Sequence, residues 1–218
     1  MLKASRCFIV DTMKTSSKTA KRKAGRPLGF DREAALREAM ILFWRHGYEA
    51  TSLNDLTSAM GIAPPSLYTA FGDKKQLFLA AVRLYTSGDV TSESIIDEAP
   101  NAREAAEGLL RTSAIGFTGE NTPAGCLLAS SAISCSAAAA DVQRALRDIR
   151  VAIETRLRNK IVADRSLRKL KPKIDAEALA GYTMAVIQGM STLARDGASR
   201  SKLLSVASVA MLAWPAGV

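Results

Sequence analysis

The sequence predicts an all-α protein, and three observations carry the prediction. No stretch alternates apolar and polar residues over the roughly four to eight positions that a half-buried strand needs. Apolar residues recur three and four apart instead, most persistently at Val142, Leu146, Ile149, Ile153, Leu157 and Ile161. Near the N-terminus, short helical periods are punctuated by Gly and Pro where helices end and begin, above all around Gly61 and Pro64-Pro65.

A chain of 218 residues, 48% hydrophobic and 23% charged, has apolar material for one or two small domains. Its net charge of +9 is unevenly spread. Residues 1–27 carry Lys3, Arg6, Lys14, Lys18, Lys21, Arg22, Lys23 and Arg26 against Asp11 alone, so most of the basicity belongs to a tail. Such a tail binds polyanions by counterion release, without reading sequence. Cys7, Cys126 and Cys135 make no disulfide framework, and the reducing cytosol is the expected compartment. No apolar run reaches the roughly 18–20 residues of a membrane span, so no membrane partner is expected. The opening MLKASRCFIV has too short an apolar run for a secretory leader, and Met13 is an alternative start.

Residues 1–29 read as a disordered basic arm with no hydrophobic period. The arm ends in Gly25-Arg26-Pro27, similar to the core of AT-hook segments. An extended arginine there can reach into a narrow minor groove; the plainer reading is a solvated terminus. Asp31 is placed to cap a first helix over Arg32–His46, with Ala35, Ala39, Leu42 and Phe43 inward and Gly47 as terminator. His46, the only histidine, sits in the last turn and reads as a surface residue rather than a metal ligand or base. Tyr48 is expected at the corner with a second helix. Thr51 and Ser52 can cap that helix, Ser52 and Asp55 fit a capping box, and Leu53, Leu56 and Met60 form its apolar face.

Gly61 ends the second helix, and Pro64 and Pro65 suit the first turn of a third, about Pro64–Ala70. Leu67 and Phe71 face inward there, while Ser66, Tyr68, Thr69 and Ala70 face away. This is the layout of a helix-turn-helix, whose second helix enters a DNA major groove. Ser66 and Thr69 can hydrogen-bond base edges or phosphates; Pro65 and Ala70 can meet a thymine methyl. Asp73 to Gln76 fits another capping box and opens a fourth helix through Leu77, Ala81, Leu84 and Tyr85. Lys74, and less strongly Lys75, then oppose a helix dipole, a conflict that a phosphate neighbour would resolve.

Residues 30–78 resemble the DNA-binding domain of TetR-family transcriptional regulators. The pieces that carry the resemblance are Phe43, Gly47-Tyr48, Thr51-Ser52, Gly61, Leu67-Tyr68, Phe71, Lys74 and Leu77-Phe78. It implies a homodimeric regulator of an operator in double-stranded DNA, working in the cytoplasm at the nucleoid, most often a repressor released by a small-molecule effector. It implies phosphate contacts from Thr51, Tyr68 and Lys74, although Thr51 reads equally well as a cap alone. The full expected DNA-facing set is Arg26, Thr51, Ser52, Pro64, Pro65, Ser66, Tyr68, Thr69 and Lys74. Ala63 and Pro64 depart from the family, which often has Ser, Thr or Asn at the first position and Lys or Arg at the second. A helix cap and a phosphate contact are thereby lost.

Three domains are expected: the arm 1–29, a helix-turn-helix domain 30–78, and a helical effector-binding and dimerisation domain 79–218. The pattern loosens from Val90 to Pro100, and helices follow at about 102–117, 127–138, 141–164, 175–196 and 200–214. The last two are apolar on more than one face and hold small residues such as Gly181, Gly189 and Ala207; in the family they pair with their copies across a two-fold axis. Phe117, Cys126, Leu128, Met184, Ile187, Gln188 and Met190, with Tyr182, are candidate pocket liners, with core as the default reading for each. Cys126 lies near a helix start, which can lower a thiol's pKa, and PAGCLL resembles a segment of one TetR subgroup, some of whose members answer to copper or reactive species. Buried, inert thiols at Cys126 and Cys135 are the default reading.

Two rival functions remain: a non-specific architectural DNA binder working through the arm, and an enzyme. The enzyme reading is the poorest, with one histidine, no metal-ligand spacing, no GxSxG, no phosphate loop and no cofactor motif.

Overall fold

The computed structural model describes residues 29–131, 136–164 and 175–215, and every regular element among them is helical. The basic arm with Arg26, and Cys7 and Cys135, lie outside the described residues.

Helix α1 (Arg32–His46) starts where Asp31 accepts hydrogen bonds from the Glu33 and Ala34 amides and ends at Gly47, φ +84°. Helix α2 (Leu53–Met60) is closed at its head by the reciprocal Ser52–Asp55 capping box and at its tail by Gly61 in the left-handed region. Its inner face differs from the expected one: Thr57 is buried beside Leu56 and Met60, and Leu53 is exposed. Helix α3 (Pro64–Phe71) begins at Ala63 with no side-chain cap. Helix α4 (Lys74–Thr86) is capped by Asp73, which accepts from the Gln76 amide at 2.7 Å. The other half of the expected box is absent. The Gln76 side chain lies over Gly72 instead, at φ +78°, in the space a Cβ would occupy.

A short helix, α5 (Ser92–Glu98), stands where the sequence pattern loosens. Thr91 and Ser94 form its capping box, and Ile96 is its one buried side chain. One apolar contact generates no period, and Ser at N3 lacks the Glu/Gln signature, so the helix is illegible from pattern. Then come α6 (Ala102–Gly116), α7 (Leu127–Ser130), a 3₁₀ turn at Ala137–Ala139, α8 (Ala140–Ala163), α9 (Ala176–Arg195) and α10 (Arg200–Ala210), the last running into a 3₁₀ turn at Met211–Ala213. Two expected helices are therefore shorter than their patterns. In the 127–138 segment α7 ends at Ser130, and the Ser131 carbonyl accepts a tertiary bond from the Tyr48 amide at 3.1 Å; residues 132–135 lie outside the described residues.

The buried side chains form two clusters. One gathers α1–α4 around Phe43, Trp44, Phe71 and Phe78, and also takes in Leu127, Leu128, Ala139, Val142 and Leu146 from α7, the adjoining turn and the start of α8. The other fills the space between α5, α6, the rest of α8, α9 and α10. The α8 stripe is buried as expected at Val142, Leu146, Ile153, Leu157 and Ile161.

Candidate nucleic-acid interface and the cavity behind it

The outward face of α3 is held by what lies beneath it. Leu67 is fully buried and Phe71 nearly so, both in the aromatic cluster. Tyr68 is 52% exposed, a large ring turned to solvent. Pro64, Pro65 and Thr69 are exposed beside it, and Ser66 and Ala70 are half-buried. The Thr69 hydroxyl donates back to the Pro65 carbonyl at 2.8 Å. Two prolines at the head of α3 supply no N–H, and the Ser66 amide already bonds the Ala63 carbonyl. Side chains, rather than backbone amides, therefore make up the polar capacity of this helix head.

The flanking residues are placed differently from expectation. Thr51 is 1% exposed, with its hydroxyl donating to the Gly47 carbonyl at 2.7 Å. Its side chain fastens the α1–α2 corner, so neither the helix cap nor an outward hydroxyl at Thr51 is present. The cap is Ser52 alone. The Ser52 hydroxyl accepts from the Asp55 amide and donates to Asp55 Oδ2 at 2.6 Å. Lys74 has a structural setting that the dipole argument omitted: its ammonium lies 4.6 Å from the Tyr48 ring centre and donates to the Glu49 carbonyl at 3.3 Å. Partial burial lowers its pKa, against an opposing pull from the Glu49 carboxylate. Lys75 is paired with Asp141 of α8.

Arg32 was not anticipated. Its Nε donates to the Ala70 carbonyl at 3.3 Å, and its guanidinium lies 4.6 Å from the centre of the Phe71 ring. It caps the C-terminal end of α3 from α1. The signal was available, because a cation in the first turn of a helix opposes the dipole, the same reasoning that singled out Lys74.

Residues 125–131 join the two clusters. The Trp44 indole N–H donates to the Gly125 carbonyl at 3.1 Å, and the Ser191 hydroxyl accepts from the Cys126 amide at 2.8 Å. Gly125 has φ +82°, and a Cβ there would stand 2.8 Å from the Ser191 carbonyl oxygen. Arg195, at the end of α9, donates to the Trp44 and Arg45 carbonyls, each at 3.2 Å, and to the Ser130 hydroxyl at 3.3 Å. A cation thus sits on the C-terminal end of α1. On the far side, Ser136 donates from both its amide and its hydroxyl to Glu49, which holds that carboxyl below the usual glutamate value.

Behind this junction lies a cavity of about 150 Å³ reached by α4–α9, with Trp44 of α1 in its wall. Phe117, Cys126, Leu128, Met184, Ile187 and Gln188 line it. Tyr182 and Met190 do not. Tyr182 is 38% exposed on another face of α9, and Met190 is buried in the core. Both belong to the same apolar helix, whose periodicity does not say which side opens on space. Cys126 lacks the lowered pKa that a place near a helix start could give, in line with the default reading of an inert thiol. Burial raises its thiol pKa, ahead of the smaller lowering from the Tyr85 hydroxyl that donates to its sulfur at 3.5 Å. Helix α7 is one turn long, too short for a strong dipole. Among the described residues no group of three or more His, Cys, Asp or Glu side chains could hold a metal ion.

The family described as "Bacterial regulatory proteins, tetR family" has a sequence model that matches residues 35–81. The chain is 36% identical over 203 residues to the HTH-type transcriptional repressor ComR of Escherichia coli K12, covering 92% of this chain and 96% of that protein. It is 30% identical over 200 residues to the HTH-type transcriptional repressor BdcR of the same organism, covering 89% and 94%. The solved structure of a cysteine-substituted TetR-family regulator CifR, complexed with 26-base-pair double-strand operator DNA, superimposes with a TM-score of 0.81 at 38% identity, covering 88% of this chain and 100% of that one.

Proposed function

The chain belongs to the TetR family of bacterial regulatory proteins, and from that premise we propose that it is a dimeric repressor, released from its operator when a small molecule enters the cavity. The observation that carries the reading is the outward face of α3, where Tyr68 is 52% exposed on a helix anchored by the fully buried Leu67. Pro64, Pro65, Ser66 and Thr69 accompany Tyr68 into the major groove, with Ser66 and Thr69 supplying hydrogen bonds. Tyr68 and Lys74 meet phosphates, Lys74 exchanging a backbone carbonyl for an anion that suits its charge better. Ser52 contributes from the head of α2, and Arg26 from the arm.

We divide the chain functionally as the sequence suggests: arm 1–29, DNA-binding domain 30–78, effector and dimerisation domain 79–218. The dimer forms through α9, α10 and the 3₁₀ turn that follows, whose exposed apolar side chains include Tyr182, Val209 at 65% exposure and Leu212 at 82%. Phe117, Cys126, Leu128, Met184 and Gln188 meet the effector. The segment Pro123–Leu128 marks the PAGCLL-bearing subgroup, although the raised pKa of Cys126 favours a neutral thiol in the wall over a reactive sensor.

Fluorescence anisotropy with the promoter beside the chain's own gene, against a scrambled duplex, tests the reading. Sequence-selective binding is expected, and Tyr68→Ala and Lys74→Ala each weaken it about tenfold or more. Equal affinity for both duplexes supports an architectural binder instead.

A further inference from the structure

We infer that the cavity takes an uncharged, compact ligand with the bulk of about one six-membered ring and a single hydroxyl or carbonyl group. The inference rests on the effector reading above and names the chemistry of that effector. Size is the first constraint. A volume of about 150 Å³ is that of an apolar cavity known to admit benzene. The walls are the second: Ile95, Leu109, Phe117, Ile153 and Met184 present aliphatic and aromatic surface from four different helices and the end of α6.

Charge is the third constraint. Glu93 and Arg150 are the charged liners, opposite in sign, and Arg150 Nη1 already donates to the Leu128 carbonyl at 2.5 Å. The two charges on the lining sum to zero, so a carboxylate or ammonium entering here would lose water without gaining a net counter-charge. The fourth constraint is a polar handle. Thr112 and Ser113, adjacent on α6, both line the cavity, and neither hydroxyl bonds a described residue. The Thr86 and Thr91 hydroxyls, by contrast, are taken by backbone groups of their own helices. Two neutral hydroxyls on one wall with no bond among the described residues match one hydroxyl or carbonyl on a ligand, and the Gln188 amide and Ser92 hydroxyl are the other neutral groups on the lining that can meet it. Cys126 and Tyr85 add surface rather than reactivity, since each already partners the other.

The test uses the full chain, four probes built on one ring (cyclohexanol, cyclohexanone, cyclohexanecarboxylate and cyclohexylammonium) and methylcyclohexane as the apolar control. Binding is followed by the shift in Tm and by the indole resonance of Trp44, which lies in the wall. The two neutral probes saturate, and the two ionic ones bind at least tenfold more weakly. Thr112→Val combined with Ser113→Ala weakens cyclohexanol about fivefold or more while leaving methylcyclohexane unchanged. Gly116→Leu abolishes all binding; a Cβ at Gly116 meets nothing within 4 Å, so the new side chain grows into open space without disturbing the core. An ionic probe that binds as well as cyclohexanol, neutral probes that fail to bind, or binding indifferent to Gly116→Leu overturns the inference. Operator selectivity is measured on the same samples. If it persists while the neutral probes fail, the ligand assignment falls and the regulator reading stands; if it is absent, the regulator reading falls whatever the probes do.

Discussion

Around α1–α4 the core is centred on packed rings, whereas around α6, α9 and α10 it interleaves alanines with longer side chains. Phe43 and Phe78 meet edge-on at 5.0 Å, Tyr48 joins Phe78 at 5.1 Å, and Trp44 stands edge-on to Tyr85 at 4.9 Å. The second cluster relies on Ala102, Ala105, Ala106, Ala114, Ala180 and Ala207, with longer side chains between them. Rings fill the gaps between short helices and fix their angles. Alanines let α6, α9 and α10 approach closely, and the cavity opens away from them, between Trp44 and Tyr85 on one side and Leu109, Phe117, Ile153 and Met184 on the other. One half keeps a surface in shape; the other keeps room.

Four measurements break or sharpen that contrast. The largest effect is expected from Phe78→Ala, a fully buried ring with two aromatic neighbours, which costs about 3–5 kcal/mol in urea unfolding. A cost below 1 kcal/mol removes the rings as the source of rigidity. Next is Arg195→Ala, which deletes the donors joining α9 to the end of α1. About 1–2 kcal/mol is expected, with faster hydrogen exchange near Gly47 and unchanged exchange in the middle of α9. Uniform acceleration across the chain contradicts a local clamp. Ile153→Val, at the cavity wall, costs about 0.5 kcal/mol, the low end for this change, because the lost methyl already borders space.

The smallest effect is electrostatic. Ser136 holds the Glu49 carboxyl below its ordinary value of about 4.5. A depressed folded pKa means that this contact contributes fully above the unfolded value and is lost as pH falls through the lower folded one. An NMR titration should place the Glu49 midpoint below 4.5, and Ser136→Ala should return it upward. An unmoved midpoint removes the tie between the α1–α2 corner and the start of α8.

Legibility follows the same divide. Asp31, Gly47, Ser52, Gly61 and Asp73 mark the ends of α1, α2 and α4 in the sequence because caps and left-handed glycines are local devices. Leu67 and Phe71 could be assigned inward from spacing alone. Elements held by tertiary bonds could not be read: α5 buries one side chain, and α7 ends where the Ser131 carbonyl turns to Tyr48. Thr51 looked like a cap and is a corner bolt, since nothing local distinguishes a hydroxyl aimed at its own helix from one aimed at the preceding turn. In α9 the apolar residues occupy more than one face, so Met184 and Met190 were indistinguishable until neighbouring helices assigned one to the cavity and the other to the core.

The paired prolines that open α3 have a thermodynamic consequence. Their φ angles are nearly the same in the unfolded chain as in the helix, so these two positions surrender less backbone freedom than other residues would when α3 forms. With Leu67 and Phe71 also held in the core, α3 is formed before it meets a duplex and has no ordering step to couple to that contact. The heat-capacity change on association should then match the buried surface alone, with no excess from a segment that folds as it binds.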